Sequence, residues 1–334
     1  MAESKLAVFG AIAANVAIAA MKFVGAAATG SSAMLSEGIH SLVDSGDGLL
    51  LLVGMRLADR PPDERHPFGY GKELYFWSLI VAVLIFGVGG GVSIYEGILR
   101  LLDPKPIEDA GWSYAILGGA AVFEGTSLAI AVRQFKRSIG AAPFWASLRT
   151  SKDPTLYTVM AEDSAALAGL AAAAIGVFGS HSLGMPAFDA GASIVIGALL
   201  CGVSTLLIMQ ARKLLVGEAV DSEMAEAIRA IAQSEPSVHR AGWPLTMHLG
   251  PNDVLLALDA EFKTGVPVEE VARAVNRIEA ELRKRFPEIG RIYIESRRVS
   301  APEAEPAAAL ANETSARAGR PRPGRRSRRF RPAR

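Results

Sequence analysis

Cysteine is nearly absent. Cys201 stands alone in 334 residues and lies in an apolar run, so no internal disulfide is available and the thiol reads as core filler rather than a redox group. Charge is scarce as well: Asp, Glu, Lys and Arg make up 21% of the chain, against 50% hydrophobic residues. With a positive mean hydropathy, that balance argues against an ordinary soluble enzyme of this length. No His-Glu-x-x-His pair occurs and no Ser or Cys nucleophile has a placed base, which argues against a membrane metalloenzyme or hydrolase. The N-terminal apolar stretch after Lys5 is too long for a signal-peptide core. The net charge of +1 is unevenly spread, with apolar runs over 6–216, polar and charged residues over 217–300, and an arginine-rich tail over 301–334. This distribution divides the chain into a membrane part (1–216), a soluble part (217–300) and a disordered tail.

A bilayer core needs roughly 20 apolar residues per helix. The candidate spans are Leu6–Ala28, Ala33–Met55, Leu74–Leu101, Trp112–Phe135, Thr155–Phe178 and Phe188–Met209. The second and fifth carry ionisable residues, which lowers their hydropathy, but their apolar flanks predict that they cross. Lys and Arg in the short loops set the orientation. Arg56, Arg60, Arg65 and Lys72 follow the second span, and Arg133, Lys136, Arg137, Arg149 and Lys152 follow the fourth. Arg212 and Lys213 follow the sixth, whereas Arg100 and Lys105 sit among Asp103, Glu108 and Asp109. Both termini are therefore expected on the cytoplasmic side, or the matrix-like side of an organelle, with the plasma (inner) membrane as the expected location.

The soluble part changes pattern. Met224–Gln233 has helical spacing, while Pro244–His248 and Val254–Phe262 have strand character, separated by a Gly250-Pro251-Asn252-Asp253 turn. Val268–Phe286 is an amphipathic helix and Arg291–Arg297 a last strand. The fold class expected overall is a membrane all-α domain of six helices. A C-terminal cytoplasmic α+β domain follows it, of order αββαβ and ferredoxin- or metallochaperone-like. In the tail, Arg325, Arg326, Arg328, Arg329 and Arg331 suit attraction to anionic lipid at about 1 kcal/mol per charge. Membrane tethering argues against nucleic acid as their partner.

Chemistry concentrates in the second span, Ser36-Glu37-Gly38-Ile39-His40-Ser41-Leu42-Val43-Asp44-Ser45-Gly46-Asp47. His40 and Asp44 are one turn apart and share a helix face, and Glu37 and Asp47 extend that stripe as pathway residues. Such groups cost several kcal/mol in hydrocarbon unless they pair, bind an ion or face water. Imidazole with carboxylate suits Zn2+ and tolerates Mn, Fe, Co or Cd. The alternative is a structural His–Asp hydrogen bond between helices. In the fifth span, Glu162 and Asp163 are adjacent and point about 100° apart. Asp163 is the predicted ligand; Glu162 is a fourth ligand after helix rotation, or a hydrogen-bonding partner of another helix. Glu96 and Glu124 are further carboxylates in apolar surroundings, with a secondary place in permeation, and the Gly87–Gly91 run permits close helix packing. His181 lies in a Gly/Ser loop.

The segment Ser36–Asp44 resembles the second-helix signature of the cation diffusion facilitator family, and His66-Pro67-Phe68-Gly69-Tyr70-Gly71-Lys72 is similar to its cytoplasmic loop motif. Asn15, Lys22, Tyr95-Glu96-Gly97 and Asp189 also fit, so the resemblance runs from residue 6 to about 298. It implies a homodimeric metal–proton antiporter with an intramembrane site of two ligands from the second helix and two from the fifth. Asp163 matches the fifth-helix aspartate, but the position four before it is Val159, which has no donor. The Glu162-Asp163 pair resembles a divergent branch that includes mitochondrial zinc exporters. The family's loop site maps to Asp63 and His66, with Tyr70 in place of its second histidine. His239 and His248 are the sole histidines of the soluble part, and Ile292-Tyr293-Ile294-Glu295 lacks the usual one.

The residues and the resemblance together predict a zinc efflux transporter whose partners are a divalent ion, protons, lipid and a second copy of itself, not an enzyme. Metal is expected to enter from the cytoplasm and bind His40, Asp44 and Asp163, with Glu162, water or another carboxylate as fourth ligand. A membrane-embedded metal sensor or assembly partner is the alternative.

Overall fold

The computed structural model describes residues 2–104, 110–140, 143–144, 147–148 and 154–297. The arginine-rich tail lies outside them, as do Lys105, Glu108, Asp109, Arg149 and Lys152. Six long helices come first: α1 Ala2–Thr29, α2 Ser32–Ala58, α3 Glu73–Leu102, α4 Ala110–Ile139, α5 Pro154–Ser182 and α6 Ala187–Val216. Each contains one of the expected apolar segments and runs a few residues past it, because helical hydrogen bonding continues where the apolar run stops. Among the described residues, four helices are long and apolar enough to cross a bilayer: Glu73–Leu102, Ala110–Ile139, Tyr157–Ser182 and Ala187–Val216. The described apolar part of α1, Asn15–Thr29, is shorter, and α2 interrupts its own hydropathy with Glu37, Asp44 and Asp47.

The termini of α2 and α6 have clear local causes. Ser31 is extended and its hydroxyl accepts from the Met34 N–H at 3.1 Å, capping α2. Gly217 ends α6 at φ 115°, a left-handed conformation that favours glycine. α3 departs from the uniform helix expected: Ile85–Gly91 is a π-helical turn between α-helical Glu73–Leu84 and Val92–Leu102. Gly87, Gly89, Gly90 and Gly91 remove the side chains that would hold the regular spiral in place.

The chain forms two compact units. The first takes residues up to Asp221 together with Thr246–Leu256 and Pro287–Arg291, and the second takes Ser222–Leu245, Ala257–Phe286 and the strand residues from Ile292. Small residues close the first unit's core, with Ala26, Ala33, Ala82, Ala120, Ala173 and Ala192 all buried. α3 and α6 meet almost backbone to backbone. A β-carbon on Gly97 would lie 2.9 Å from the Ala190 carbonyl oxygen, and one on Gly197 would lie 2.7 Å from that of Gly90. Close approach of this kind is how helices associate where lipid supplies no hydrophobic drive.

The C-terminal elements are α7 Ser222–Ser234, β1 Val238–Ala241, β2 Leu245–Gly250, β3 Asp253–Phe262, α8 Val268–Arg285 and β4 Ile289–Arg297. The order is therefore αβββαβ rather than αββαβ. Its extra strand, β1, escaped pattern reading because its four residues are buried only at the two ends instead of alternating. β1 pairs antiparallel with β3 through Val238↔Phe262 and Ala241↔Ala260, with a bulge between Val238 and Arg240. In the second unit Ile228, Ala232, Ala274, Ile278 and Leu282 are buried. Arg277 clamps Glu235 at 2.7 Å and Glu270 at 2.8 Å.

Candidate metal centre

α2 carries a stripe of ionisable groups into the core because its flanking residues are apolar enough to hold the helix there. Glu37, His40 and Asp47 are at most 1% exposed. His40 Nδ1 is 3.2 Å from Asp44 Oδ1. The pair is not aligned for a hydrogen bond, and neither imidazole nitrogen has a hydrogen-bond partner. Asp44 Oδ1, both oxygens of Asp47, Glu162 Oε1 and Asp163 Oδ2 are likewise buried without hydrogen-bond partners. A buried polar atom without a partner costs about 1–3 kcal/mol, and more if charged. A concentration of them on facing helices is what an ion-binding core requires.

Glu37 stands apart from this group. Its carboxylate is 2.9 Å from Lys22 Nζ, and Lys22 also donates to Ser41 Oγ at 2.7 Å, both side chains being fully buried. Gly169 on α5 lies against Glu37 Oε1, where a β-carbon would collide. Glu37 is thereby held by α1 and α5, and the free end of the stripe is His40–Asp47.

α5 presents its buried side through Thr158, Glu162, Ala165, Ala166 and Ala173. Glu162 lies on this buried side, within electrostatic reach of the α2 carboxylates and of Asp163 and Glu124. Asp163 meets Ser127 of α4 and also feels Asp44 and His40. Val159 packs instead with Ala131, Phe135 and Met160. The residue one turn before Glu162 is Thr158, which is buried. Among the described residues, no three His, Cys, Asp or Glu side chains converge closely enough to ligate a single ion.

Glu124 on α4 is the residue whose importance the sequence understated. It is 5% exposed and lies within electrostatic reach of Asp44, Lys22, Asp163 and His40. The signal was there in a lone carboxylate on the buried α4 face formed by Leu117, Ala120, Ala131 and Phe135. Glu96, by contrast, is half-buried.

Asp189 fastens α6 to the start of α2. It accepts from the Ser32 N–H at 2.6 Å, the Ser32 hydroxyl at 2.9 Å and the Ser31 hydroxyl, so a carboxylate sits on the positive end of α2. In the loop after α2, Asp63 accepts from the Arg65 and His66 N–H groups and from the Tyr70 hydroxyl at 2.7 Å. The Tyr70 hydroxyl, aided by those N–H groups, holds the Asp63 carboxyl below its usual range, and the carboxylate raises the phenol in turn. His66 stacks on Tyr70 at 4.2 Å and stays half exposed, so Asp63 and His66 form an exposed, self-satisfied turn. His181 and His239 are exposed, and His248 is buried.

Ionisable donors buried between apolar helices define a multi-pass membrane protein that handles cations. The chain belongs to the cation efflux family: residues 8–216 match its transmembrane domain. It is 35% identical over 243 residues to the human protein named proton-coupled zinc antiporter SLC30A9, mitochondrial, covering 72% of this chain and 43% of that protein. It is 32% identical over 281 residues to metal tolerance protein C4 of Arabidopsis thaliana, covering 83% and 61%. Magnetosome protein MamB of Magnetospirillum gryphiswaldense is 25% identical over 259 residues, covering 77% and 82%. The chain spans less than half the length of the SLC30A9 relatives it matches.

Proposed function

We propose that this chain moves divalent cations, zinc foremost, out of the cytoplasm in exchange for protons, with six spans, both termini on the cytoplasmic side and two copies per transporter. The observation that carries the reading is the set of buried atoms without hydrogen-bond partners on α2 and α5, in His40, Asp44, Glu162 and Asp163. One imidazole with carboxylates is a zinc-compatible donor set. Binding needs a neutral imidazole and ionised carboxylates, so the ion displaces protons and a more acidic far side returns them. The donors close on the ion as α2 and α5 shift, which couples occupancy to access. The relatives' printed names, zinc antiporter and metal tolerance protein, support the same cargo and coupling. Residues 217–300 are assigned to joining the two protomers, and Asp63 and His66 to shaping the loop rather than to a strong metal site. The loop charges support the orientation, and the plasma (inner) membrane is the location we assign.

The test is reconstitution into vesicles with a proton gradient, following internal zinc and internal pH together. Zinc accumulation that collapses with the gradient supports antiport; zinc binding without flux leaves a sensor or assembly partner. The same preparation tests the α5 rotation. Glu162→Gln is expected to weaken zinc binding by about 10–100-fold by calorimetry, while Val159→His leaves it within about twofold. Tighter zinc in Val159→His, with Glu162→Gln unaffected, would return the fourth ligand to position 159.

A further inference from the structure

We propose that Lys22 is a positioning residue for ion binding: it sets the rotation of α2 about its own axis, and so the direction in which His40 and Asp44 face. The inference rests on the metal-site reading above and deepens it. Lys22 Nζ donates to Glu37 Oε2 at 2.9 Å and to Ser41 Oγ at 2.7 Å, with all three side chains buried. Both acceptors belong to α2, one turn apart, so a single ammonium grips one ridge of that helix at two heights. At about 100° per residue, the His40–Asp44 pair lies about 60° round the helix from that ridge. Lys22 is itself no ligand, because an ammonium has donors only.

The grip extends to α5. Glu37 Oε1 has no hydrogen-bond partner and rests against Gly169, where a β-carbon would collide. Gly169 follows Glu162 by seven residues, two turns on, so it shares the helix face that carries Glu162. α1, α2 and α5 thus meet at one buried polar knot, and the two donor-bearing helices are indexed to each other there. The tolerance is small. Side-chain tips lie about 5–6 Å from a helix axis, so a rotation of about 20° moves them by about 2 Å. Zinc holds nitrogen and oxygen ligands at about 2.0–2.2 Å, and such a rotation takes a ligand out of the shell. Stability alone does not call for the pair, since apolar residues of matched volume often replace a buried ion pair at no loss; fixing register is the best-attested use of such groups.

The full chain in detergent is loaded with Co2+, which stands in for zinc and reports its ligand geometry by visible absorption; zinc affinity is measured by calorimetry and folding by thermal unfolding. Lys22→Met/Glu37→Gln removes the knot without leaving a lone charge. It is expected to melt with the wild type, to weaken zinc by about tenfold or more, and to shift or bleach the Co2+ bands. Ser41→Ala keeps the ion pair and removes one of the two holds on α2. It is expected to shift the bands in the same direction to a smaller extent, with melting unchanged, and it alone decides if the double variant does not fold. Unchanged bands and zinc affinity in Ser41→Ala and in a folded double variant overturn the positioning role. A change that appears only where melting has fallen overturns it too, because it marks plain stability. Absence of Co2+ bands in the wild type would instead remove the His40–Asp44–Asp163 site, and with it anything to position.

Discussion

Asp44→Ala is expected to reduce zinc flux in reconstituted vesicles by about 100-fold or more, since it removes a ligand outright rather than a supporting contact. Asp44 is the meeting point of the site: His40 Nδ1 approaches it at 3.2 Å, and its charge reaches Glu124, Glu162 and Asp163. The fold is expected to survive the change. Asp44 Oδ1 is buried without a hydrogen bond, so truncation removes a costly buried oxygen and gives up its 3.2 Å contact with His40 alone among the ion pairs. A monodisperse, membrane-inserted variant with near-normal flux would remove Asp44 from the site.

Lys22→Met is expected to have the opposite profile, a stability loss with an indirect effect on transport. The Lys22–Glu37 pair is fully buried at 2.9 Å, and truncating its cation leaves Glu37 charged and alone against Gly169. Breaking one side of a buried pair costs about 3–5 kcal/mol, whereas replacing both sides with groups of matched shape is close to neutral. Thermal unfolding in detergent should therefore fall steeply for Lys22→Met and recover in Lys22→Met/Glu37→Gln. If the double variant regains stability but not flux, the pair has a part in transport beyond holding α1 to α2. If the single variant melts like the wild type, Glu37 has another partner or carries a proton.

Much of this site is legible in the sequence because it lies on one helix. His40, Asp44 and Asp47 are close in number, and helical period alone places them on a shared stripe. What joins helices is harder to read. Glu162 and Asp163 are neighbours in sequence, and which of them meets α2 depends on a rotation fixed by distant packing, with Val159 drawn into the Ala131–Phe135–Met160 cluster. Nothing local to Lys22 or Glu37 says that a lysine on α1 spends its charge on a glutamate of the next helix. Glu124 is hard to read for the same reason, since the charges around it come from α1, α2 and α5. β1 is short and the π-helical turn of α3 is a matter of hydrogen-bond register, and neither leaves a periodic trace.

The glycine contact of α3 with α6 bears on how such a bundle moves. Where main chain rests on main chain, at Gly90, Gly97 and Gly197, there are no rotamers to rearrange and no slack to slide through. The two helices act as one mechanical strut, tied further by the Ser193 hydroxyl donating to the Ser93 carbonyl at 3.2 Å. Opening and closing toward either side of the membrane must then part the strut from its neighbours, not split it. Cysteines placed at Ser93 and Ser193 and cross-linked should leave turnover intact, whereas arrest on cross-linking would mean that the strut itself shears in every cycle.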